Sequence, residues 1–291
     1  GINPALVEKD YWIMHCLHGL QQLGLTFELK GGTSLSKGFQ IINRFSEDID
    51  IRIDPPEDRE VKTGKNHTKP AHIQSRRDFY AWLAETIKID GIDKVERDEA
   101  FDNDTLMSAG IRLSYKTHTD ALPGLRDGVL LELGFDDVSP NTPQDISSWL
   151  YDHAVGKVEI IDNRAKAVPC YDPGFTFVEK LQTISTKFRQ QQASKDSPLL
   201  FMRHYYDVFA LLKLKQVQDF IGTKEYTAHK EKRFRGGDNR DISKKEAFLL
   251  SDADTRKLYD KAFTESGTLY YADKPTLKEI LAELAKWLTK L

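Results

Sequence analysis

Cysteine is nearly absent: two residues in 291, far apart at Cys16 and Cys170, exclude a disulfide scaffold. They read as buried, reduced thiols of a cytoplasmic protein. Long apolar runs are missing too. No stretch approaches the ~20 residues of a membrane span, so no membrane partner is expected. The opening Gly1-Ile2-Asn3-Pro4 has neither a basic nor an apolar leader region and does not read as a secretion signal. Net charge is small, −3, which does not mark the whole chain as a nucleic-acid binder. Two catalytic signatures are also lacking. There is no G-x-S-x-G elbow, and GGTSLSK is not a P-loop because no glycine precedes its lysine.

What is present is a composition of 40% hydrophobic and 10% aromatic residues, that of a well-packed soluble protein. The length suits one large domain or two ordinary ones. Asn3 as N-cap and Pro4 at the first helical position predict a helix to about Leu23. His15 and His18 on it flank Cys16, but no further ligand follows at a useful spacing, so a metal site is not read there. A short strand around Phe27–Leu29, a glycine turn, a helix from about Ser34 to Asn43 and a strand from Asp48 to Ile53 follow. Asp54 to Pro70 reads as a surface loop and Arg76–Ile89 as a helix. Leu106–Tyr115 and Val129–Phe135 read as an antiparallel pair, and Lys166–Cys170 as a further strand.

Beyond Pro173 the pattern turns helical, over about Phe175–Gln192, Leu199–Leu214, Val217–His229, Ser243–Phe263 and Lys274–Leu291. The expectation is an α+β fold: a mixed α/β half over residues 1–172, then an all-α half over 173–291. Charge is unevenly spread. Lys213 to Lys245 holds ten Lys or Arg against five Asp or Glu, a local excess of +5 suited to an anionic partner.

Two chemical devices sit close together. The first is Gly31-Gly32-Thr33-Ser34, between a strand and a helix. Its glycines let backbone approach a phosphate, and its amides and hydroxyls can donate to one, with Lys37 one turn on. The second is Asp48-Ile49-Asp50-Ile51-Arg52-Ile53. Period-2 geometry buries the isoleucines and turns Asp48 and Asp50 to the other face. Two like charges on one strand face repel, and aspartate is a poor strand former. Tolerating both suggests a hard cation between them, which suits Mg2+ (or Mn2+).

A glycine–hydroxyl turn opening a helix, followed by a strand with D-x-D, resembles the nucleotidyltransferase fold of the polymerase-beta superfamily. The chain is more closely similar to the AbiEii/AbiGii-type nucleotidyltransferase toxin family, over roughly residues 2–215. The carrying motifs are VEKDYW (Val7–Trp12), KGGTSLSK (Lys30–Lys37), RFSEDIDI (Arg44–Ile51), LLELGF (Leu130–Phe135), FVEKLQT (Phe177–Thr183) and RHYYDVF (Arg203–Phe209). The resemblance implies that Gly31, Gly32, Thr33, Ser34, Lys37, Ser46 and Arg203 bind the nucleotide. It implies that Asp48, Asp50 and Glu132 hold metal, with Glu132 standing where an aspartate is more usual. Lys180 and Asp207 match the later lysine and aspartate motifs. His204 and Tyr205 depart from the RDxYD-like run of relatives.

The implied activity is transfer of a nucleoside monophosphate from an NTP, with release of pyrophosphate, to an acceptor hydroxyl. RNA, notably tRNA, is the implied acceptor. The protein would act as the toxin of a toxin–antitoxin or phage-defence (abortive infection) system with a cognate antitoxin. A nucleotide-binding toxin without transfer, or an enzyme modifying a protein or small molecule, are the alternatives. Lys180 and Asp207 have a competing reading as a helix–helix salt bridge.

Overall fold

The first helix begins where its capping residues place it. In the computed structural model, which describes residues 1–291 apart from Arg235 and Asn239 and gives Thr268 by its backbone alone, α1 spans Pro4–Gln22. Asn3 Oδ1 accepts from the Ala5 amide at 2.9 Å, satisfying one of the helix's orphan donors. By its internal contacts the chain divides into two compact units. One is Gly1–Gln40 with Phe45–Tyr171, the other Ile41–Arg44 with Asp172–Leu291.

In the first unit, α1 leads to β1 (Thr26–Lys30), a short helix α2 (Gly31–Thr33) that runs on as a π-helical turn Ser34–Gly38, and β2 (Asp48–Asp54). Then come α3 (Pro70–Thr86), β3 (Ile92–Asp98), β4 (Ser108–Tyr115), β5 (Val129–Gly134), β6 (Asn141–Ile146), α4 (Trp149–Ala154) and β7 (Ala165–Tyr171). The strands form one seven-stranded sheet in the order β3-β4-β5-β2-β1-β7-β6. β2 runs parallel to β5 and β1 parallel to β7, and the other neighbours are antiparallel. The sheet is therefore mixed, as expected.

Register sorts the side chains. Ile49 and Ile51 on β2 align with Leu131 and Leu133 on β5, and Leu29 on β1 aligns with Ile51. All five are buried, at about 1.5–3 kcal/mol each for a full side chain. Ile13, Met14 and Leu17 of α1 and Phe79 and Leu83 of α3 complete this core. Alternation leaves Asp48, Asp50 and Arg52 on the opposite face.

Four of these elements differ from expectation. β3 and β6 form the two edges of the sheet and had no apolar alternation to reveal them. An edge strand needs none, and β6 even carries Pro143. The helix expected to reach Asn43 stops at Gly38, because Gln40 adopts a left-handed φ of 54°. α3 starts six residues earlier than read, with Pro70 in its first turn.

The second unit is helical: α5 (Pro173–Ser194), α6 (Arg203–Leu212), α7 (Lys215–Phe220), α8 (Lys224–Arg233), α9 (Glu246–Leu249), α10 (Ala253–Glu265) and α11 (Leu277–Ala285). α5 packs on α6, α7 and α8, and α11 packs on α6. Asp172 opens α5 by accepting from the amides of Gly174 and Phe175 at 2.7 and 3.2 Å. Two long expected helices are broken. Gly222, at φ 85°, and the Thr223 cap separate α7 from α8. Leu250, at φ 42°, and the Asp252 cap separate α9 from α10. Residues Ile41–Arg44 are knit into this unit. Asn43 donates its amide to the Tyr206 hydroxyl at 2.9 Å, and Arg44 forms a β-bridge with Tyr270. Among the described residues no helix is long and apolar enough to cross a membrane.

Candidate active site

On β2 the polar face is set by pleat alone, and its neighbours bring further charge. Asp50 pairs in register with Glu132 on parallel β5 and with Lys30 on β1. Partners in register share a face, so Asp48, Asp50, Glu132 and Lys30 lie together. All four are half-buried. The turn after β1 fits against this row. Gly31 has φ 71°, and a methyl group on it would collide with the Asp50 carboxylate. The Thr33 hydroxyl donates to the Asp48 carbonyl, so its side chain ties the turn to the acidic strand. Ser34 is buried within the turn.

This contact makes Gly31→Ala a sharp probe. Left-handed backbone costs an alanine about 1–2 kcal/mol, and the added carbon must displace Asp50. The variant should melt a few degrees lower and lose at least tenfold of any Asp50-dependent activity. Unchanged activity in a folded Gly31→Ala would separate the turn from the acid.

Two charged residues of α1 brace the site. Asp10 is fully buried, pairs with Lys37 Nζ at 2.8 Å and accepts from the Trp149 amide at 2.8 Å. Burial raises the Asp10 carboxyl, and Lys37 opposes that rise. Lys37, expected to serve a phosphate, is thus anchored on Asp10; an ammonium has three donors and can serve both. Lys9 pairs with Glu47 at 3.3 Å, both buried. Glu47 also accepts from the Arg126 amide at 2.9 Å, and Lys9 donates to the Arg126 carbonyl at 2.6 Å. The Arg126 guanidinium lies 3.3 Å from Asp48.

Asp48, Asp50 and Glu132 offer hard oxygens that suit a divalent ion bound through one or two carboxylates, with the remaining ligands from phosphates and water. Among the described residues, however, no three His, Cys, Asp or Glu side chains converge as a ready-made metal nest. The three-acid set expected from sequence is a row rather than a cluster: like charges spread along β2 and β5, and Asp48 leans to Arg126. His15 and His18 each bond a backbone carbonyl, of Asp90 and Arg164, as structural histidines do.

The helical unit holds a second charged group. Asp207 is fully buried and receives both Nε and Nη2 of Arg44, at 2.6 and 2.7 Å, and Lys180 Nζ at 3.0 Å. Burial pushes its carboxyl up, but Arg44 and Lys180 outweigh that and hold it far below the usual range. His204 lies 3.5 Å from Lys180 Nζ; burial, then Lys180, hold its imidazole neutral, well below the ordinary value. Arg203 is half-buried at the start of α6, and Ser46 is half-buried two residues before β2.

His204 gives a pH signature. Its unfolded pKa is about 6.5 and its folded value is lower. As pH falls below ~6.5 the unfolded chain takes up the proton first, and stability is lost. Asp207, whose folded pKa is depressed, adds its own loss only below pH ~4. His204→Gln should therefore flatten the fall in melting temperature between about pH 7 and pH 5. An unchanged slope would place the titration elsewhere.

A mixed sheet with D-x-D on a central strand, a glycine turn against it and a third acid in register on the parallel neighbour is the arrangement of a nucleotidyltransferase. The family described as "Nucleotidyl transferase AbiEii toxin, Type IV TA system" matches residues 15–283. The chain belongs to this family of toxins and is a nucleotidyltransferase. Among solved structures, an antigenic nucleotidyltransferase-like protein from Paracoccidioides brasiliensis is similar at 13% identity and a TM-score of 0.39, over 91% of this chain and 98% of that one. That likeness is loose, and the assignment stands on the family match. No curated protein matches the chain. Membership of a type IV toxin–antitoxin family implies a cognate antitoxin.

Sequence reasoning missed Lys9, Asp10, Arg44 and Arg126. Lys9 and Asp10 stand within VEKDYW and Arg44 within RFSEDIDI, but no role was read for them there. Two adjacent charges on an otherwise apolar helix stripe were the available signal. Arg126 lies in a connection with no motif at all.

Proposed function

We propose that the protein moves a nucleoside monophosphate from an NTP onto an acceptor hydroxyl of RNA, tRNA in particular, and that this is its toxic act in phage defence. The observation that carries the reading is Asp50 in register with Glu132, with Asp48 on the same face and Gly31 closed against Asp50. Asp48 and Asp50 would hold Mg2+ (or Mn2+), with Glu132 beside them. When bound, the ion neutralises charge building on the α-phosphate. The amides of Gly31, Gly32 and Thr33 would cradle the triphosphate, Ser34 and Ser46 would flank it, and Lys37 would add a charge oriented by Asp10.

In the transfer, the acceptor oxygen bonds to the α-phosphorus as the bond to pyrophosphate breaks. The acid nearest the acceptor assists loss of its proton. Lys180 and Asp207 would complete the machinery with Arg203, Lys180 being oriented by Asp207 at 3.0 Å. RNA as acceptor is supported by the helical unit, where Lys213, Lys215, Lys224, Lys232, Arg240 and Lys244 are exposed. Two further cations of that stretch are turned inward. Lys245 is buried, Arg233 pairs with Glu179 at 2.8 Å, and Arg235 lies outside the described residues.

Incubation with each of four α-labelled NTPs, Mg2+ and total cellular RNA or protein tests this directly. Label in small RNA from one NTP is the expected result. Label only in protein or a small molecule would move the acceptor to another class. Nucleotide binding with no label anywhere would favour a toxin that binds without transfer.

A further inference from the structure

We infer that Arg126 is a partner-changing phosphate ligand: it neutralises Asp48 in the nucleotide-free protein and moves to the leaving pyrophosphate when metal and nucleotide arrive. This rests on the transfer reaction proposed above. The first support is how firmly the residue's backbone is held. Its amide donates to Glu47 Oε2 at 2.9 Å, and its carbonyl accepts from Lys9 Nζ at 2.6 Å. Lys9 and Glu47 pair with each other at 3.3 Å, with side chains only 1% and 7% exposed. Burying two charges is costly and is weak evidence for stability. Here both partners of the buried pair grip one residue of the connection before β5. What that arrangement fixes is where the Arg126 side chain starts.

The second support is the contrast between that backbone and the side chain. The side chain is 41% exposed, and its guanidinium rests over Phe101, 5.4 Å from the ring centre. Its Nη1 lies 3.3 and 3.5 Å from the two carboxylate oxygens of Asp48, astride them. Good charge-assisted bonds are about 2.7–2.9 Å. Arg44 achieves 2.6 and 2.7 Å on Asp207. The pair with Asp48 is thus a loose one, made through a single nitrogen of a group with five donors.

A cation on Asp48 would repel the guanidinium and leave it only a long contact, from Nε to Glu47 Oε1 at 3.9 Å. With its backbone pinned, Arg126 can only rotate its side chain. A fork-shaped donor released beside the triphosphate turn matches the bidentate geometry of phosphate oxygens. Of these, the oxygens of the leaving pyrophosphate gain charge as the bond to the α-phosphorus breaks. Arg126 would therefore steady the leaving group, while its release from Asp48 couples nucleotide arrival to metal binding.

Two binding measurements test this on the full chain, without turnover. Mn2+ titration followed by electron paramagnetic resonance reads metal affinity in the absence of nucleotide. Arg126→Ala should bind Mn2+ at least threefold more tightly, because Asp48 has lost its competitor. Calorimetry with a nucleoside triphosphate and Mg2+ should show affinity reduced about tenfold in Arg126→Ala and in the charge-free Arg126→Gln, and less reduced in Arg126→Lys. Affinity for the matching monophosphate should not change. Triphosphate affinity equal to wild type, or Mn2+ affinity equal or weaker in both charge-free variants, overturns the proposal. Wild-type protein that binds no triphosphate would instead overturn the transfer reading on which it rests.

Discussion

Asp50→Asn should lower nucleotidyl transfer by roughly a thousandfold or more, and Asp48→Asn by a similar factor, while both variants stay folded. A site of this kind accelerates transfer chiefly by stabilising the charge that develops on the phosphoryl group. A loss of ~4 kcal/mol corresponds to about three orders of magnitude in rate. Stability should behave differently. Asp48 and Asp50 stand two residues apart on one strand face, with Glu132 in register beside Asp50. Neutralising Asp50 relieves repulsion and leaves Lys30 exposed enough to find water. Asp48→Asn also loosens the 3.3 Å pair with Arg126, which is half-exposed and weak. Melting temperatures within a few degrees of wild type are expected for both. Near-normal transfer by either variant, measured with labelled NTP, would remove the acidic row from the chemistry.

The second large effect separates two kinds of dependence on one buried cluster. Asp207→Ala leaves Arg44 and Lys180 without their shared carboxylate. Removing one partner of a buried ion pair costs about 3–5 kcal/mol. For a chain of this size that is a fall of about 10 °C in melting temperature. Lys180→Ala leaves the bidentate Arg44–Asp207 pair in place, at 2.6 and 2.7 Å, so the carboxylate stays compensated. It should cost little stability and yet abolish most transfer if Lys180 meets the nucleotide. Paired thermal scans and transfer assays decide the matter. A Lys180→Ala protein that melts early and transfers normally would show that Lys180 serves only the helix–helix salt bridge.

How much of this was legible depends on the range of each signal. The strict alternation of Asp48 to Ile53 gave strand, face and candidate metal residues at once, because period 2 is a local property. Asn3-Pro4 announced the start of α1 for the same reason, whereas the Asp172 cap that opens α5 at Pro173 was not read. The edge strands β3 and β6 bury little on either face, so their sequences read as polar connection. The breaks at Gly222 and Leu250 were masked by apolar spacing that continued through them. Partnerships across long separations left no trace in a linear reading. Arg44 and Asp207 are 163 residues apart, and Lys9 and Arg126 are 117 apart. Charges in those places look like solvated surface until the fold supplies the other half.

Ile41–Arg44 belongs to the helical unit although the residues on either side of it belong to the sheet. Neither unit is therefore a contiguous piece of gene. A helical fragment that starts after Tyr171 would carry Asp207 and Lys180 but not Arg44, nor the Asn43 amide that meets Tyr206. Its buried carboxylate would face one cation instead of two. A helical unit moved on its own, without Arg44, would thus lose a bidentate ion pair. The helical unit keeps its own ion pair only where the four-residue insert travels with the helices.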